Sequence, residues 1–366
     1  MAIEISSKQI EPIRHTYDYV ARRIGEGRPG SRYQEATFDI QPTANFQYPS
    51  SYAPKYALFD PARTAIVMED WYAFLDPRQY YYSAYTVARA KQQEVVEKNF
   101  AFVESKNLLT NLPDDIKTVI RKVLIPLRHV EWAGNMNNCS ITDVGYGTAI
   151  TQATLFHAID KLGIAQYLTR ISLILEENEE TGLDAAKQAW LEDEMWQPLR
   201  RAVEDMFVLD DWFELLVAQN VVLDGLLYPL VYGEIVDDLM VRGAMSLAML
   251  TEFMREWQKE AERWTSAIVK AACLESKANA AQVSTWTRVW TDRLSDALEP
   301  IACAAFDPVP TQPAPATKRN LGRLFSKSED QCTRSVDSLS VTAVSQVRVA
   351  LLERLQKQGL KLAEVA

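Results

Sequence analysis

Residues 244–275, AMSLAMLTEFMREWQKEAERWTSAIVKAACLE, carry the clearest periodic pattern in this chain of 366 residues. Apolar side chains recur there at steps of three and four residues, at Leu250, Phe253, Met254, Trp257, Ala261, Trp264 and Ile268. Charged side chains take the positions between them, including Glu252, Arg255, Glu256 and Lys259. A helix with about 3.6 residues per turn places each set on its own face. The stretch therefore predicts a long amphipathic helix with an aromatic stripe.

Helical patterns of similar quality cover most of the chain on either side. Further helices are predicted at approximately 76–104, 112–138, 148–175, 183–193, 197–208, 210–236 and 280–304. The pair Asp76-Pro77 predicts the start of the first, with an N-cap carboxylate before a proline at the first helical position. No strand-like alternation separates these segments. Long helices joined by short connections are typical of an all-α bundle.

Residues 1–75 differ from this pattern, because they combine proline, glycine and many aromatic side chains without a sustained helical period. We expect an extended N-terminal arm that lies on another surface, where its aromatic rings would be buried. The alternative is a long ordered loop packed on its own domain. The helical domain then covers 76–307.

Residues 308–340 form a second region without a helical pattern. A run of prolines followed by basic, serine and threonine residues predicts a flexible linker. Residues 341–366 then predict a terminal amphipathic helix. Its apolar face is formed by Val341, Val344, Val347, Leu351, Leu352 and Leu355.

The composition argues against nucleic-acid and membrane partners. Lys and Arg number 39 against 49 Asp and Glu, a net charge of −10, whereas phosphate binding needs a basic face. The longest apolar run, Val221–Tyr232, is interrupted by Asp224 and Pro229, so no membrane span is expected. The N-terminus shows no signal pattern, and the four scattered cysteines form no CxxC motif. These features predict a cytoplasmic protein with reduced thiols.

The three histidines lack the neighbours that a di-iron centre requires. A ferritin-like centre needs two single carboxylates and two Glu-x-x-His pairs, whose spacing places both ligands on one helix face. The residues three positions before the histidines are Pro12 for His15, Pro126 for His129 and Thr154 for His157. The irons would be under-coordinated without these carboxylates. We therefore expect no metal-binding residue in this chain.

Other catalytic patterns are also missing from the sequence. It contains no GxGxxG, P-loop or GxSxG motif. Glu131 falls about 200° around a helix from His129, so the two are not expected to share a ligand. A Ser-His-Asp or Cys-His arrangement stays open, although nothing indicates one. We expect no catalytic and no cofactor-binding residue.

The densest aromatic run covers residues 71–74 (WYAF) and 80–82 (YYY). Tyrosine and tryptophan are enriched at interfaces, where one end of the side chain is dry and the other wet. One interpretation is a corner of the core in which the hydroxyl groups find partners. The other is a subunit contact made by Trp71, Tyr72, Tyr80, Tyr81 and Tyr82. Both interpretations remain open.

The chain contains TAIVMEDW at 64–71, DPRQYYY at 76–82, PLRH at 126–129, NMNN at 135–138, AQNVVLDGL at 218–226 and MLTEFMREW at 249–257. Together these stretches resemble the beta-subunit signature of bacterial multicomponent monooxygenases. The opening segments PIR at 12–14 and SRYQEA at 31–36 favour the phenol hydroxylase beta subunit over the toluene, alkene and methane enzymes. The segment 311–340 departs from the family pattern, which leaves the docking of the terminal helix open.

This resemblance implies a ferritin-like, all-α, non-catalytic beta subunit without cofactors of its own. It would scaffold an alpha subunit that carries the di-iron site, with a small gamma subunit, in a dimer of heterotrimers. An effector protein and a reductase with FAD and a 2Fe-2S cluster would serve the complex, which hydroxylates phenol to catechol with O2 and NAD(P)H.

The resemblance also bears on one histidine. Alpha subunits of such enzymes carry a Glu-x-Arg-His ligand motif, and Arg128-His129 resembles its end, with Pro126 where the glutamate would stand. This implies that a metal-binding role has been lost from the chain.

Three hypotheses for the function follow. The first is the accessory subunit just described, of a phenol hydroxylase or of a related toluene or alkene monooxygenase. The second is an independent enzyme with an unrecognised metal-free site. The third is a helical adaptor unrelated to oxygenases.

Overall fold

The computed structural model describes residues 16–41, 53–306 and 339–362. The predicted all-α bundle is confirmed, because these residues contain helices, turns and loops and no strand. The helices are α1 (Asp18–Ile24), α2 (Arg32–Thr37), α3 (Tyr82–Ser105), α4 (Asp114–Val119), α5 (Leu127–Val144), α6 (Thr148–Leu175), α7 (Thr181–Glu192), α8 (Gln197–Met206), α9 (Trp212–Val241), α10 (Met245–Glu275), α11 (Lys277–Phe306) and α12 (Leu339–Gln356).

Helix α10 is the amphipathic helix predicted from residues 244–275. The side chains of Met254, Trp257 and Trp264 are fully buried, and Leu250 and Ile268 join them on the same face. The aromatic stripe therefore faces the core, because steps of three and four residues return to one side of a helix.

Helix α9 runs through the centre of the bundle and packs against α10, α11 and α12. It is long and apolar enough to cross a membrane by length and composition, but 94% of its apolar window is buried inside the protein. Two π-helical stretches, Val217–Leu223 and Pro229–Ile235, interrupt its α-helical geometry. The second begins at a proline, which has no N–H for the regular helical hydrogen bond.

The helix start predicted at Asp76 is wrong, since α3 begins six residues later, at Tyr82. The Asp76 carboxylate instead accepts hydrogen bonds from the backbone N–H of Arg78 and from its guanidinium, both at 2.9 Å. Gln79 then adopts a positive φ of 53°, which ends this turn and prevents a continuous helix. An aspartate can cap a turn with the same hydrogen bond that it would use to cap a helix.

The helix predicted from Leu112 towards Asn138 is divided in the structure. Helix α4 continues as a π-helical stretch, Ile120–Leu124, and α5 starts only at Leu127. Pro126 lies at the junction, where its missing N–H interrupts the helical hydrogen bonds.

The described part of the N-terminal segment packs on its own domain. Ile66 and Phe74 belong to the main hydrophobic core. The Tyr33 hydroxyl accepts a hydrogen bond from the Asp76 N–H at 2.7 Å, and the backbone N–H of Ala65 donates to the Asp211 carboxylate at 2.7 Å. These contacts agree with the alternative of a long ordered loop packed on its own domain. Contact of this segment with another surface stays a prediction.

The terminal helix α12 is docked on the bundle against α9, α10 and α11. Leu351 and Leu355 are buried in the main core. A Cβ on Gly225 would lie 2.9 Å from Leu351 Cδ1, so α9 and α12 approach closely there. The described part of this helix starts at Leu339, and residues 307–338, which include most of the predicted linker, lie outside the described residues.

We predict that Leu351→Ala lowers the free energy of unfolding by about 2–4 kcal/mol, since it opens a cavity between packed helices. The matched control is Leu339→Ala on the same helix, whose side chain is 64% exposed and should change stability by less than about 0.5 kcal/mol. Denaturant unfolding of both variants measures the difference. Equal effects would show that α12 does not contribute its buried face to the core in solution.

Candidate functional site

The two histidines that the structure describes, His129 and His157, have different neighbours. His15 lies outside the described residues. His129 stacks on Trp190 with ring centroids 5.9 Å apart, and its buried Nε2 has no hydrogen-bond partner. Burial, helped by two nearby cations, lowers the pKa of His129 to about 4. The imidazole is therefore neutral at physiological pH.

His157 occupies the centre of the bundle, fully buried between two tryptophans of α10. The centroid of its ring lies 4.6 Å from that of Trp257 and 5.2 Å from that of Trp264. Its Nε2 is 3.1 Å from Asp224 Oδ2, whereas its buried Nδ1 has no partner. Burial lowers the pKa of His157 and outweighs the nearby carboxylate, so this imidazole is neutral as well.

Lys161 lies one helical turn after His157 and is fully buried. Its ammonium is 2.7 Å from Asp224 Oδ1 and 3.0 Å from Glu131 Oε2. It also donates to the Tyr228 hydroxyl at 3.1 Å, so oxygen atoms of three side chains surround the ammonium. We call Glu131, His157, Lys161, Asp224 and Tyr228 the central cluster.

The central cluster is assembled from three helices by regular spacing. His157 and Lys161 are four residues apart on α6, and Asp224 and Tyr228 are four residues apart on α9. Such pairs share a helix face, so the two faces meet across the core. Glu131 on α5 closes the third side, where the Tyr228 hydroxyl donates to its Oε2 at 2.8 Å.

Charge in the central cluster is unevenly balanced. Burial pushes the pKa of Asp224 upwards, but the Lys161 ammonium outweighs it and holds that pKa below its usual range. Burial raises the pKa of Glu131, because the attraction of the same ammonium is too small to offset it. The pKa of Lys161 itself is raised, since the two carboxyl groups together overcome its burial. One ammonium thus lies between two buried carboxyl groups, at 2.7 Å from Asp224 and 3.0 Å from Glu131.

A second layer of polar groups positions the central cluster. Gln219 donates to Asp224 Oδ1 at 3.0 Å and accepts from Asn137 at 2.9 Å. The Lys161 stem runs past Gly134, where a Cβ would lie 3.2 Å from Lys161 Cε. A glycine therefore leaves room for the buried lysine.

A neighbouring ion-pair group joins α3 to α6 and α10. The Arg89 guanidinium contacts Asp160 at 2.6 Å and Glu260 at 2.9 Å. Trp257, which also lines the central cluster, donates its indole N–H to Asp160 at 2.9 Å, and Tyr85 donates to the same carboxylate at 2.9 Å. The Asp160 carboxylate therefore has hydrogen-bond partners on three other side chains, which gives it a role in holding the helices together.

The central cluster does not fit a di-iron centre. Among the described residues, no group of three or more histidine, cysteine, aspartate or glutamate side chains could hold a metal ion. Glu131 and Asp224 both direct oxygens at the Lys161 ammonium, which lies where a shared cation would have to be. A ferritin-like centre would also need two Glu-x-x-His pairs.

Sequence reasoning missed this cluster, although a signal was present. Asp224 was interpreted only as an interruption of the apolar run Val221–Tyr232. A charged residue within a buried apolar run requires a buried partner of opposite charge. Lys161, which lies among apolar residues of a predicted helix, is a candidate for that partner. Glu131 was assigned no role beyond its angular separation from His129, and that separation is consistent with the two side chains having different neighbours.

The aromatic run is divided between the core and the surface. Trp71 and Tyr72 are buried within the chain, and the Trp71 ring packs 5.8 Å from that of Trp212. The burial of these two side chains within the chain agrees with the interpretation as a corner of the core. Tyr80 and Tyr81 are half-buried and Tyr82 is 76% exposed, so the predicted subunit contact stays a proposal.

Helices α5 and α6 pack closely against each other and carry large apolar side chains on their outward sides. Large exposed apolar side chains on neighbouring helices are typical of interaction sites in soluble proteins. We call this surface the outer face of the α5–α6 hairpin, and its residues are Trp132, Met136, Leu155, Ile159 and Leu162.

Comparison with known proteins places these features in a family. The family model for methane, phenol and alkene hydroxylases matches residues 52–276. The oxygenase component DmpL of phenol 2-monooxygenase from Pseudomonas sp. (strain CF600) is 42% identical over 364 residues, covering 100% of both chains. A chain in the crystal structure of xenon-pressurized phenol hydroxylase from Pseudomonas sp. OX1 is 41% identical, with a TM-score of 0.85, and the match covers 99% of this chain and 100% of that one.

A more distant relative carries a subunit name. The beta subunit of the hydroxylase component of the toluene-4-monooxygenase system from Ectopseudomonas mendocina is 22% identical over 252 residues, or 67% of this chain and 75% of that protein. Such relatives are subunits of multicomponent monooxygenases, which implies oligomeric partners. The fold, the family pattern across 52–276 and the full-length identity to an oxygenase component together show that this chain belongs to the methane, phenol and alkene hydroxylase family.

Proposed function

We propose that this chain is the non-catalytic beta subunit of a multicomponent phenol hydroxylase, which converts phenol to catechol with O2 and NAD(P)H. It scaffolds an alpha subunit that carries the di-iron centre. Identity of 42% to a phenol 2-monooxygenase oxygenase component favours this assignment over the related toluene enzyme, whose beta subunit is 22% identical. Membership of the family also sets aside the hypothesis of a helical adaptor unrelated to oxygenases.

The observation that carries the proposal is the position of the Lys161 ammonium. The two carboxyl groups that could act as ligands in the centre of the bundle, Glu131 and Asp224, are already joined to this cation at 3.0 and 2.7 Å. A fixed ammonium provides neither a redox centre nor an open coordination position. This supports an active site in the partner subunit and no catalytic, metal-binding or cofactor-binding residue in this chain.

The outer face of the α5–α6 hairpin supports a role as a subunit. Trp132 is 52% exposed, and its ring contacts Phe207, so the apolar surface extends to the end of α8. Burying such a surface against a partner is favourable by about 25 cal/mol per Å² of apolar area. The aromatic contact proposed at Trp71, Tyr72, Tyr80, Tyr81 and Tyr82 would add to it chiefly through exposed Tyr82.

The remaining parts of the proposed complex follow the family resemblance. The assembly is a dimer of heterotrimers with a small gamma subunit, served by an effector protein and by a reductase that holds FAD and a 2Fe-2S cluster. All of it is cytoplasmic, and the chain itself binds neither nucleic acid nor membrane.

We predict that the purified chain alone contains no stoichiometric iron and forms no catechol from phenol. Co-expression with the alpha and gamma subunits should give a stable complex that, with effector and reductase added, turns phenol over. Metal analysis and catechol detection measure both properties. Turnover by the lone chain would instead support the independent-enzyme hypothesis, and carboxylate-bridged iron in the lone chain would refute the non-catalytic assignment.

We also predict that Ile159→Lys on the outer face prevents or weakens co-purification with the alpha subunit at least tenfold, because it places a charge in an apolar interface. The matched control is Val241→Lys, whose side chain is 85% exposed on a different helix, at the end of α9. Circular dichroism should show both variants folded. Unchanged assembly of Ile159→Lys would remove the outer face from the interface.

A further inference from the structure

We propose that a helix of the partner alpha subunit crosses α6 at Gly163, with its backbone close to this glycine. The side of that helix that meets the outer face of the α5–α6 hairpin is apolar and uncharged. This inference rests on the proposed function and deepens it, because it states the chemistry of the partner surface and the point of closest approach.

The first support is the absence of accessible charge on the hairpin. Within 130–142 on α5 and 148–169 on α6, every charged side chain is buried. The α6 stretch alone covers about six helical turns. A helix side that faces water normally carries charged side chains, as α10 does at Glu252, Glu256 and Lys259. The hairpin fits an uncharged partner, since a charge placed against it would lose its hydration without gaining a counter-charge.

The second support is Gly163, which lies near the middle of α6. A glycine inside a helix is less favourable than an alanine, and Gly163 has no positive φ that would require it. At Gly134 and Gly225 the chain itself explains the glycine, because an added Cβ would lie 3.2 Å and 2.9 Å from the nearest side-chain atom. At Gly163 an added Cβ would meet no atom within 4 Å. Close approach by another chain gives this glycine a reason.

The third support is the position of Gly163 on the hairpin. Ile159 lies four residues before it and Gln166 three residues after it, so the three residues share one side of α6. Leu155, Ile159 and Leu162 are exposed, and Gly163 is therefore a low point beside large apolar side chains. Helix axes approach to about 8 Å where the side chains at the contact are small. A second helix can thus cross there with its own side chains against the exposed apolar ones.

The hairpin is also held in one arrangement by contacts within the chain. Asn135 donates its side-chain N–H to the Ala158 carbonyl at 2.8 Å. The hydroxyl groups of Thr142 and Thr154 lie 2.8 Å apart and form a second link between the two helices. Binding therefore needs little ordering of this surface. Trp132, which is 52% exposed, supplies the kind of aromatic side chain that anchors protein interfaces.

The deciding experiment is a competition for a limiting partner. Tagged alpha subunit and gamma subunit are co-expressed with equal amounts of the wild-type chain and one variant, and mass spectrometry measures the ratio of the two in the purified complex. We expect Gly163→Ala to be depleted at least fivefold and Gly163→Leu at least fiftyfold, because the added atoms force the helices apart.

The matched control is Gly233→Ala on α9. An added Cβ at Gly233 also meets no atom within 4 Å, but the next residue is the exposed and charged Glu234. We expect this variant to be incorporated equally with the wild type. Equal depletion of Gly233→Ala and Gly163→Ala would show a general effect of helix glycines and would overturn the inference.

A second measurement should change in the opposite direction. The Tm of the purified Gly163→Ala chain by itself, followed by circular dichroism, should be about 1–2 °C above that of the wild type, because alanine favours the helix. A lower Tm would show that the chain needs this glycine for its own fold, which contradicts a role at the interface.

The remaining outcomes separate this inference from the proposed function. If the wild-type chain assembles and Gly163→Ala is incorporated equally, the inference is wrong and the proposed function stands. If the wild-type chain does not assemble with the alpha subunit, the proposed function fails and the inference fails with it. A homodimer of the lone chain that Gly163→Ala dissociates would assign the contact to a second copy and would also overturn the inference.

Discussion

The pairing of the Lys161 ammonium with carboxyl groups from two other helices is the interaction on which the centre of this bundle depends. Hydrophobic contacts among the surrounding side chains are non-directional and would tolerate several helix registers. A buried ammonium tolerates one, because a single-residue shift of α9 would turn Asp224 away by about 100°. Removing either partner of such a buried pair commonly costs about 3–5 kcal/mol, since the other charge is left uncompensated. The cluster thus fixes α5, α6 and α9 relative to one another.

Trp257 extends this constraint to a fourth helix. One face of its ring lies over the Lys161 ammonium, and its indole N–H donates to Asp160 in the ion-pair group formed with Arg89 and Glu260. The aromatic stripe of α10 therefore does more than fill the core. It links two polar groups that would otherwise be separate, so α3 and α10 are tied to the same centre as α5, α6 and α9.

Local patterns predicted the helices well, because amphipathic spacing is a property of neighbouring residues; α6 and α10 end within about one residue of their predicted limits. The predictions failed where one signal serves two structures. Asp76 caps a turn instead of a helix, and Pro126 divides what had been predicted as one helix. The sequence could indicate that Asp224 needs a buried partner, but it could not show that Glu131 and Lys161 meet it, because the three residues are far apart in the chain and come together only when the helices pack.

Gly134 places a limit on how this core can diverge. A glycine within a helix costs about 1 kcal/mol relative to alanine, and α5 carries that cost at the point where the lysine stem passes. Any larger side chain at this position would press on Lys161, and any smaller residue in place of the lysine would leave a void beside the glycine. Substitutions at positions 134 and 161 are therefore coupled. In related chains, gain of a side chain at one should accompany shortening of the side chain at the other, and an alignment of such chains would show this covariation.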